Sequence, residues 1–298
     1  MVESSPLARS RGIACAAGFM AVWIATLVLG TVLLHPAITG SLSAAPASMR
    51  LALELLSLAS VAVPTSLFAL LRPARRRRAS RISAPVAALI GSVAGLAWLS
   101  SALGANGLAG VLSVGMAASV PHIPVWLAAC LANAAFQELL IRGYPFDVLR
   151  GSLGIFPATY ITTALFIAFH PGAFVDGPLA VLQMAVASFL LAELRLLAGG
   201  LVVPIAAHFA WNAAGGIGLG AVALADDYPH ALSLSIGNGT SLSTGAMGIE
   251  GSPWTLLVTT AFCVGLAMVI RVRPKHMAVD AAAEFNRVNQ SSGDENEQ

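Results

Sequence analysis

Four side chains, Glu138, His170, His208 and Asn212, have the types and spacing to do acid–base chemistry. Glu138 stands four residues before Arg142, so the two share a helix face. His208 stands in the same relation to Asn212. His170 closes the run Phe166-Ile167-Ala168-Phe169-His170. A carboxylate with a histidine polarises water by general base catalysis. A second histidine and a carboxamide donate hydrogen bonds to the oxyanion that forms when water attacks a carbonyl. The set therefore suits hydrolysis. It also suits a divalent metal such as zinc, with Glu138, His170 and His208 as ligands and water in an open position. Each residue has a plainer role as well. Glu138 is a structural partner for Arg142, His170 beside Pro171 is a cap for backbone carbonyls, and His208 with Asn212 is hydrogen-bond glue between helices.

These groups are positioned by an unusually apolar chain. Of its 298 residues 57% are hydrophobic and 10% charged. A soluble domain carries about 25% charged residues, so there is too little charge here to cover a water-facing surface. Runs long enough to span a bilayer, roughly 20 apolar residues each, occur at 13–35, 50–71, 83–104, 123–149, 155–173, 178–197, 200–224 and 253–271. Ala, Leu and Gly dominate them, without the period-2 alternation of strands. The expected fold is all-α, a polytopic membrane bundle of about eight transmembrane helices.

Charge sets the orientation. An inside N-terminus puts Arg9, Arg11, the run Arg72 to Arg81, Arg142, Arg150, Arg195 and the tail residues Arg271, Arg273, Lys275 and Arg287 on the cytoplasmic side. Only Arg50 falls outside, so the positive-inside rule selects N-in/C-in. The arginine run reads as an anchor on anionic head groups of the lipid bilayer rather than a nucleic-acid site. Cys15, Cys130 and Cys263 lie inside spans and read as small apolar residues, not as a disulfide or metal framework. The first apolar run exceeds a signal-peptide core in length, and reads as a retained helix despite Ala45-Pro46-Ala47.

The chain divides into N-terminal transmembrane helices (1–119), a helical core holding the chemistry (120–224), an outside loop with the last span (225–275), and a polar, acidic, disordered cytoplasmic tail (276–298). The loop is rich in Gly, Ser and Thr and contains the sequon Asn238-Gly239-Thr240. Gly216 and Gly220 have the spacing of close helix packing.

Ionisable groups inside a span are costly and mark function. They concentrate in the spans around Glu138, His170 and His208. Glu54 lies near an outer helix end, and Glu193 near an inner one where Arg195 is within pairing reach. At about 1.5 Å rise per residue, Glu138 lies roughly 18 Å from its cytoplasmic end, His170 roughly 20 Å, and His208 and Asn212 roughly 12 and 18 Å. Three helices of alternating direction thus bring their polar groups to one depth, as a shared site requires.

The same residues resemble the CPBP family, which comprises type II CAAX prenyl endopeptidases and bacteriocin-processing or self-immunity membrane proteins. Its pattern is Glu-Glu-x-x-x-Arg, then Phe-x-x-x-His, then His-x-x-x-Asn/Asp, on three membrane helices. Phe166 to His170 fits the second motif and His208 to Asn212 the third, and the resemblance covers about residues 120–220. Arg142 aligns with the motif Arg, which places Gln137 at the first Glu and Glu138 at the second. The resemblance implies an intramembrane endopeptidase acting on a membrane-associated or prenylated-type peptide. In it Glu138 with His170 activates water, His208 and Asn212 hold the oxyanion, and Arg142 orients the carboxylate. A metal on Glu138, His170 and His208, or none, is compatible with it. Gln137 cannot act as a base, and neighbouring helix positions point about 100° apart. The alternative is therefore a non-catalytic pseudoprotease scaffold in immunity or regulation. A transporter would show repeated halves, and none is found. The Ala- and Arg-rich, Lys-poor composition points to a high-GC genome and a bacterial plasma membrane. The pattern assigns no oligomeric state.

Overall fold

A computed structural model describes residues 6–71, 82–116, 119–224, 227–237 and 245–271. The arginine run at 72–81, the Asn238 sequon and the tail 276–298 lie outside the described residues. The chain begins with three long apolar helices, α1 (Pro6–Leu42), α2 (Pro46–Leu71) and α3 (Ala84–Leu108). A strand, β1 (Leu112–Gly115), leads to α4 (Ile123–Arg142), α5 (Tyr144–Leu153), α6 (Ile155–Ala168), the single turn α7 (Pro171–Asp176), α8 (Pro178–Ala198) and α9 (Val202–Asn212). The chain continues from α9 as a π-helical turn, Ala213–Gly218. A second strand, β2 (Ser233–Ile236), and a 3-10 turn, Ile249–Gly251, precede the last helix, α10 (Pro253–Arg271). The protein is an all-α membrane helix bundle.

Six helical stretches among the described residues are long and apolar enough to cross a bilayer, against the eight expected from the sequence. The two that fall short are α6, with 14 residues, and α9, with 11. Pro171 disfavours helical geometry at His170 and ends the α6 segment. Glycines 215, 216 and 218 loosen α9 into its π turn. The span expected at 123–149 is two helices meeting at Gly143, where a Cβ would overlap the carbonyl oxygen of Leu139.

Between membrane helices, packing depends on close fit rather than on exclusion of water. Helix α3 lies against α9, α2 against α4, and α1 against α2 and α5. Gly91 and Gly95 make the first of these contacts intimate. A Cβ on either would overlap the carbonyl oxygen of Val203 or Ala207 on α9. Large side chains of α1 such as Val28, Val32 and Leu33 stay exposed, as a lipid-facing surface requires. Arg195 ties α8 to α5 through Asp147 at 3.3 Å, and not to Glu193 as its place in the sequence suggested.

The segment expected as an outside loop is folded where it is described. Strands β1 and β2 pair antiparallel, Leu112 opposite Ile236 and Gly115 opposite Ser233. Val222 bridges to Gly248, and residues 249–251 are buried against α8 and α3. Gly216 and Gly220 do pack closely, but against Leu224 and Leu232 of this returning segment rather than across a helix pair.

Gly95→Val forces α9 away from α3. Overpacking of this kind costs about 1–3 kcal/mol, so the variant's thermal midpoint in detergent falls by several degrees, while Gly104→Val, at an open position, leaves it unchanged.

Candidate active site

The centre of the bundle is a fully buried ion pair within α4. Arg142 Nη1 donates to Glu138 Oε1 at 2.9 Å, and neither side chain is exposed. The second arm of the guanidinium, Nη2, donates to Ser188 Oγ at 2.7 Å and to the Ser188 carbonyl at 3.2 Å on α8. Its carbon lies 4.4 Å from the centre of the Phe166 ring on α6. Thus one arginine holds α4, α6 and α8 together. Helix α9 joins through His208, whose Nδ1 lies 3.0 Å from Glu138 Oε1. A carboxylate oxygen accepts, so Nδ1 carries the hydrogen and Nε2 is the nitrogen left for chemistry.

His170 is anchored in the same manner. Its Nδ1–H donates at 2.7 Å to the carbonyl of Phe166 in the last turn of α6, which also accepts from the Phe169 amide at 3.2 Å. That is the capping role its place beside Pro171 suggested, and it again leaves Nε2 available. The Phe166 ring lies 4.3 Å from the imidazole of His170 and 6.1 Å, edge-on, from that of His208.

Gln137, His170, His208 and Asn212 all line one cavity of about 550 Å³. Polar groups of α4, the α6–α7 link and α9 therefore do converge, as their matched depths required. Glu138 is not on the wall of this cavity. Its Oε1 is taken by Arg142 and His208, and among the described residues its Oε2 has no partner. Glu138 is thus in hydrogen-bond contact with the His208 ring on one oxygen and, among the described residues, unpartnered on the other. Gln137 faces the cavity and donates its Nε2 to Asn133 Oδ1 at 2.8 Å. Asn133 donates to Glu54 Oε2 at 3.0 Å, and Arg50 lies 3.2 Å from Glu54 and 3.3 Å from Asp227. This ladder needs a donor at position 137, which an ionised Glu lacks.

Several wall residues were not expected at the site. Arg50 was read only as the one outside charge, Asn133 was passed over four residues before Gln137, and Glu250 lay in the supposed loop. Glu250 accepts from Trp211 Nε1–H at 3.1 Å and from the Ala223 amide at 3.3 Å. A lone carboxylate directly before an apolar span was the available clue.

Within the expected ligand set of Glu138, His170 and His208, Glu138 Oε1 accepts from His208 Nδ1–H, and no group of three His, Cys, Asp or Glu placed to share a metal ion occurs among the described residues.

Residues 119–214 match the model of a family described as Type II CAAX prenyl endopeptidase Rce1-like. The matched stretch contains every residue expected at the site, from Gln137 to Asn212, and stops short of Glu250. No curated protein and no solved structure matches the chain.

Removing one partner of a buried ion pair leaves the other charge uncompensated, at about 3–5 kcal/mol. Glu138→Ala accordingly destabilises the protein by that amount in denaturation from detergent micelles. Glu138→Ala combined with Arg142→Met recovers more than half of the loss, and strict additivity of the two changes would show that they do not interact.

Proposed function

We propose, for a chain whose core segment is Rce1-like, that it is a membrane-embedded endopeptidase that hydrolyses a peptide bond of a membrane-associated or prenylated-type peptide. One observation carries this reading. Two imidazoles with anchored Nδ1 and free Nε2, and the amide of Asn212, share a cavity walled by membrane helices. We assign the protein to a bacterial plasma membrane on its composition, with lipid and a peptide substrate as its partners and no nucleic acid.

In this mechanism a water hydrogen-bonded to His170 Nε2 attacks the scissile carbonyl carbon, and its proton passes to that nitrogen. The carbonyl oxygen becomes an oxyanion. It receives hydrogen bonds from Asn212 Nδ2 and, when both ring nitrogens carry hydrogen, from His208 Nε2–H. Glu138 accepts from His208 Nδ1–H and fixes the plane of that ring, while Arg142 fixes Glu138. Collapse of the intermediate breaks the C–N bond, and the leaving amine takes up a proton. General base groups contribute about 10²–10⁴-fold to such reactions, and one oxyanion donor about 10²–10³-fold.

Gln137 favours a second reading, a scaffold on the same frame that binds a peptide without cleaving it. The two are separated by proteolysis of pooled membrane peptides, prenylated ones included, by purified protein in detergent. For a protease, His170→Ala loses cleavage by at least about 10²-fold and Asn212→Ala by about 10²-fold, while EDTA leaves the rate unchanged. For a scaffold, the wild type binds without cleaving and cleavage emerges only in Gln137→Glu. Loss of activity in EDTA, restored by zinc, would return Glu138 and the histidines to metal ligation after rearrangement.

A further inference from the structure

His170 takes the water's proton, and the leaving nitrogen needs a donor of its own. An amine is expelled from a tetrahedral intermediate only when it is protonated as the C–N bond breaks. Of the described residues lining the cavity, Glu250 is the one carboxylic acid. It arrives from outside the Rce1-like stretch, on the 3-10 turn before α10.

The placement of Glu250 is built rather than incidental. The Ile249 amide donates to the Ala221 carbonyl at 2.8 Å and pins the turn. Gly248 adopts φ 58°, and a Cβ there would overlap that same carbonyl oxygen, so the approach depends on glycine. Trp211, which donates to Oε1, stacks on Trp98 with ring centres 3.7 Å apart. It is the residue before Asn212 and three after His208, so Glu250 is locked to the helix that carries the oxyanion donors. Its side chain is 7% exposed and forms no ion pair with a described residue. A buried carboxyl without a cation is costly unless neutral. Burial pushes Glu250 up to about 7, against the two hydrogen bonds that lower it.

The other ionisable groups on this cavity are Arg50, Cys130, His170, His208 and Tyr228. Of the elements packed against the turn, α3 has no charged or titratable side chain, and α8 carries only Glu193 and Arg195, in its last two turns. Glu250 is thus the wall group suited to hold a proton at neutral pH and release it.

We propose that Glu250 is a catalytic residue of this cavity, the general acid that protonates the leaving amine. This rests on the endopeptidase reading. The O–H bond of Glu250 breaks as the C–N bond breaks, the proton goes to nitrogen, and the new carboxylate is received by Trp211 Nε1–H and the Ala223 amide. The proton taken from water by His170 restores Glu250 through solvent in the cavity, so the cycle is balanced and needs no co-reactant.

A general acid matters only for a poor leaving group, and this gives the test. Wild type, Glu250→Gln and His170→Ala are assayed on one membrane peptide with an ordinary scissile amide and on its analogue with a p-nitrophenyl ester at that bond. Glu250→Gln is expected to lose about 10²-fold on the amide and less than about threefold on the ester, whereas His170→Ala loses both. The alkaline limb of the wild-type amide profile, falling as Glu250 loses its proton near pH 7, is absent from the ester profile. Wild-type rates for Glu250→Gln on the amide would overturn the proposal and leave the endopeptidase intact. Equal loss on both substrates would overturn it in favour of a structural role, with the melting temperature of the variant as the check. No cleavage of either substrate by the wild type would overturn both readings together.

Discussion

Everything at the centre of this bundle depends on one buried ion pair. Placing Glu138 and Arg142 out of water costs several kcal/mol per ion, and their mutual attraction alone does not offset that. Further contacts offset part of the cost: Arg142 reaches Ser188 and the face of Phe166, and Glu138 Oε1 accepts from His208, while Glu138 Oε2 and Arg142 Nε have no partner among the described residues. These partners come from α8, α6 and α9. The cost of burying the charges is therefore what specifies how four helices meet, and the orientation of the His208 ring follows from the same requirement.

Small residues make that meeting close. Gly91 and Gly95 let α3 touch the backbone of α9, and the glycines after Asn212 let the chain leave the helix in a π turn and fold back. The returning segment delivers Glu250 beneath Trp211. A site assembled this way draws on two distant parts of the chain. One is the helical core with its histidines. The other is a turn held by Gly248 and a few backbone hydrogen bonds.

Much of this was legible beforehand in the side chains. Two i, i+4 pairs, Glu138 with Arg142 and His208 with Asn212, placed polar groups on single helix faces, and an apolar background left them few competitors. Their convergence with His170 followed from depth, although the helix through Glu138 breaks at Gly143 and α6 ends before His170 is reached. Such breaks were hidden because hydropathy sums a window and does not register where one glycine or proline interrupts the backbone. The pairing of Arg195 was hidden for a related reason. Its nearest acid in sequence, Glu193, is two residues away and points elsewhere on the helix, while Asp147 is brought in by tertiary packing.

That the chain lives in a bilayer as helices, and which few polar residues lie within them, is readable from residue types and their order alone. Composition and period decide both, because lipid excludes unpaired charge and unpaired backbone alike. Tertiary contacts were needed to show that Glu138 meets His208 as well as Arg142, that Gln137 completes a ladder through Asn133 to Glu54, and that Glu250 stands on the wall. Which oxygen meets which nitrogen depends on rotation about helix axes and on the path of a returning loop. Those are set by contacts between segments far apart in the chain, and no local pattern encodes them.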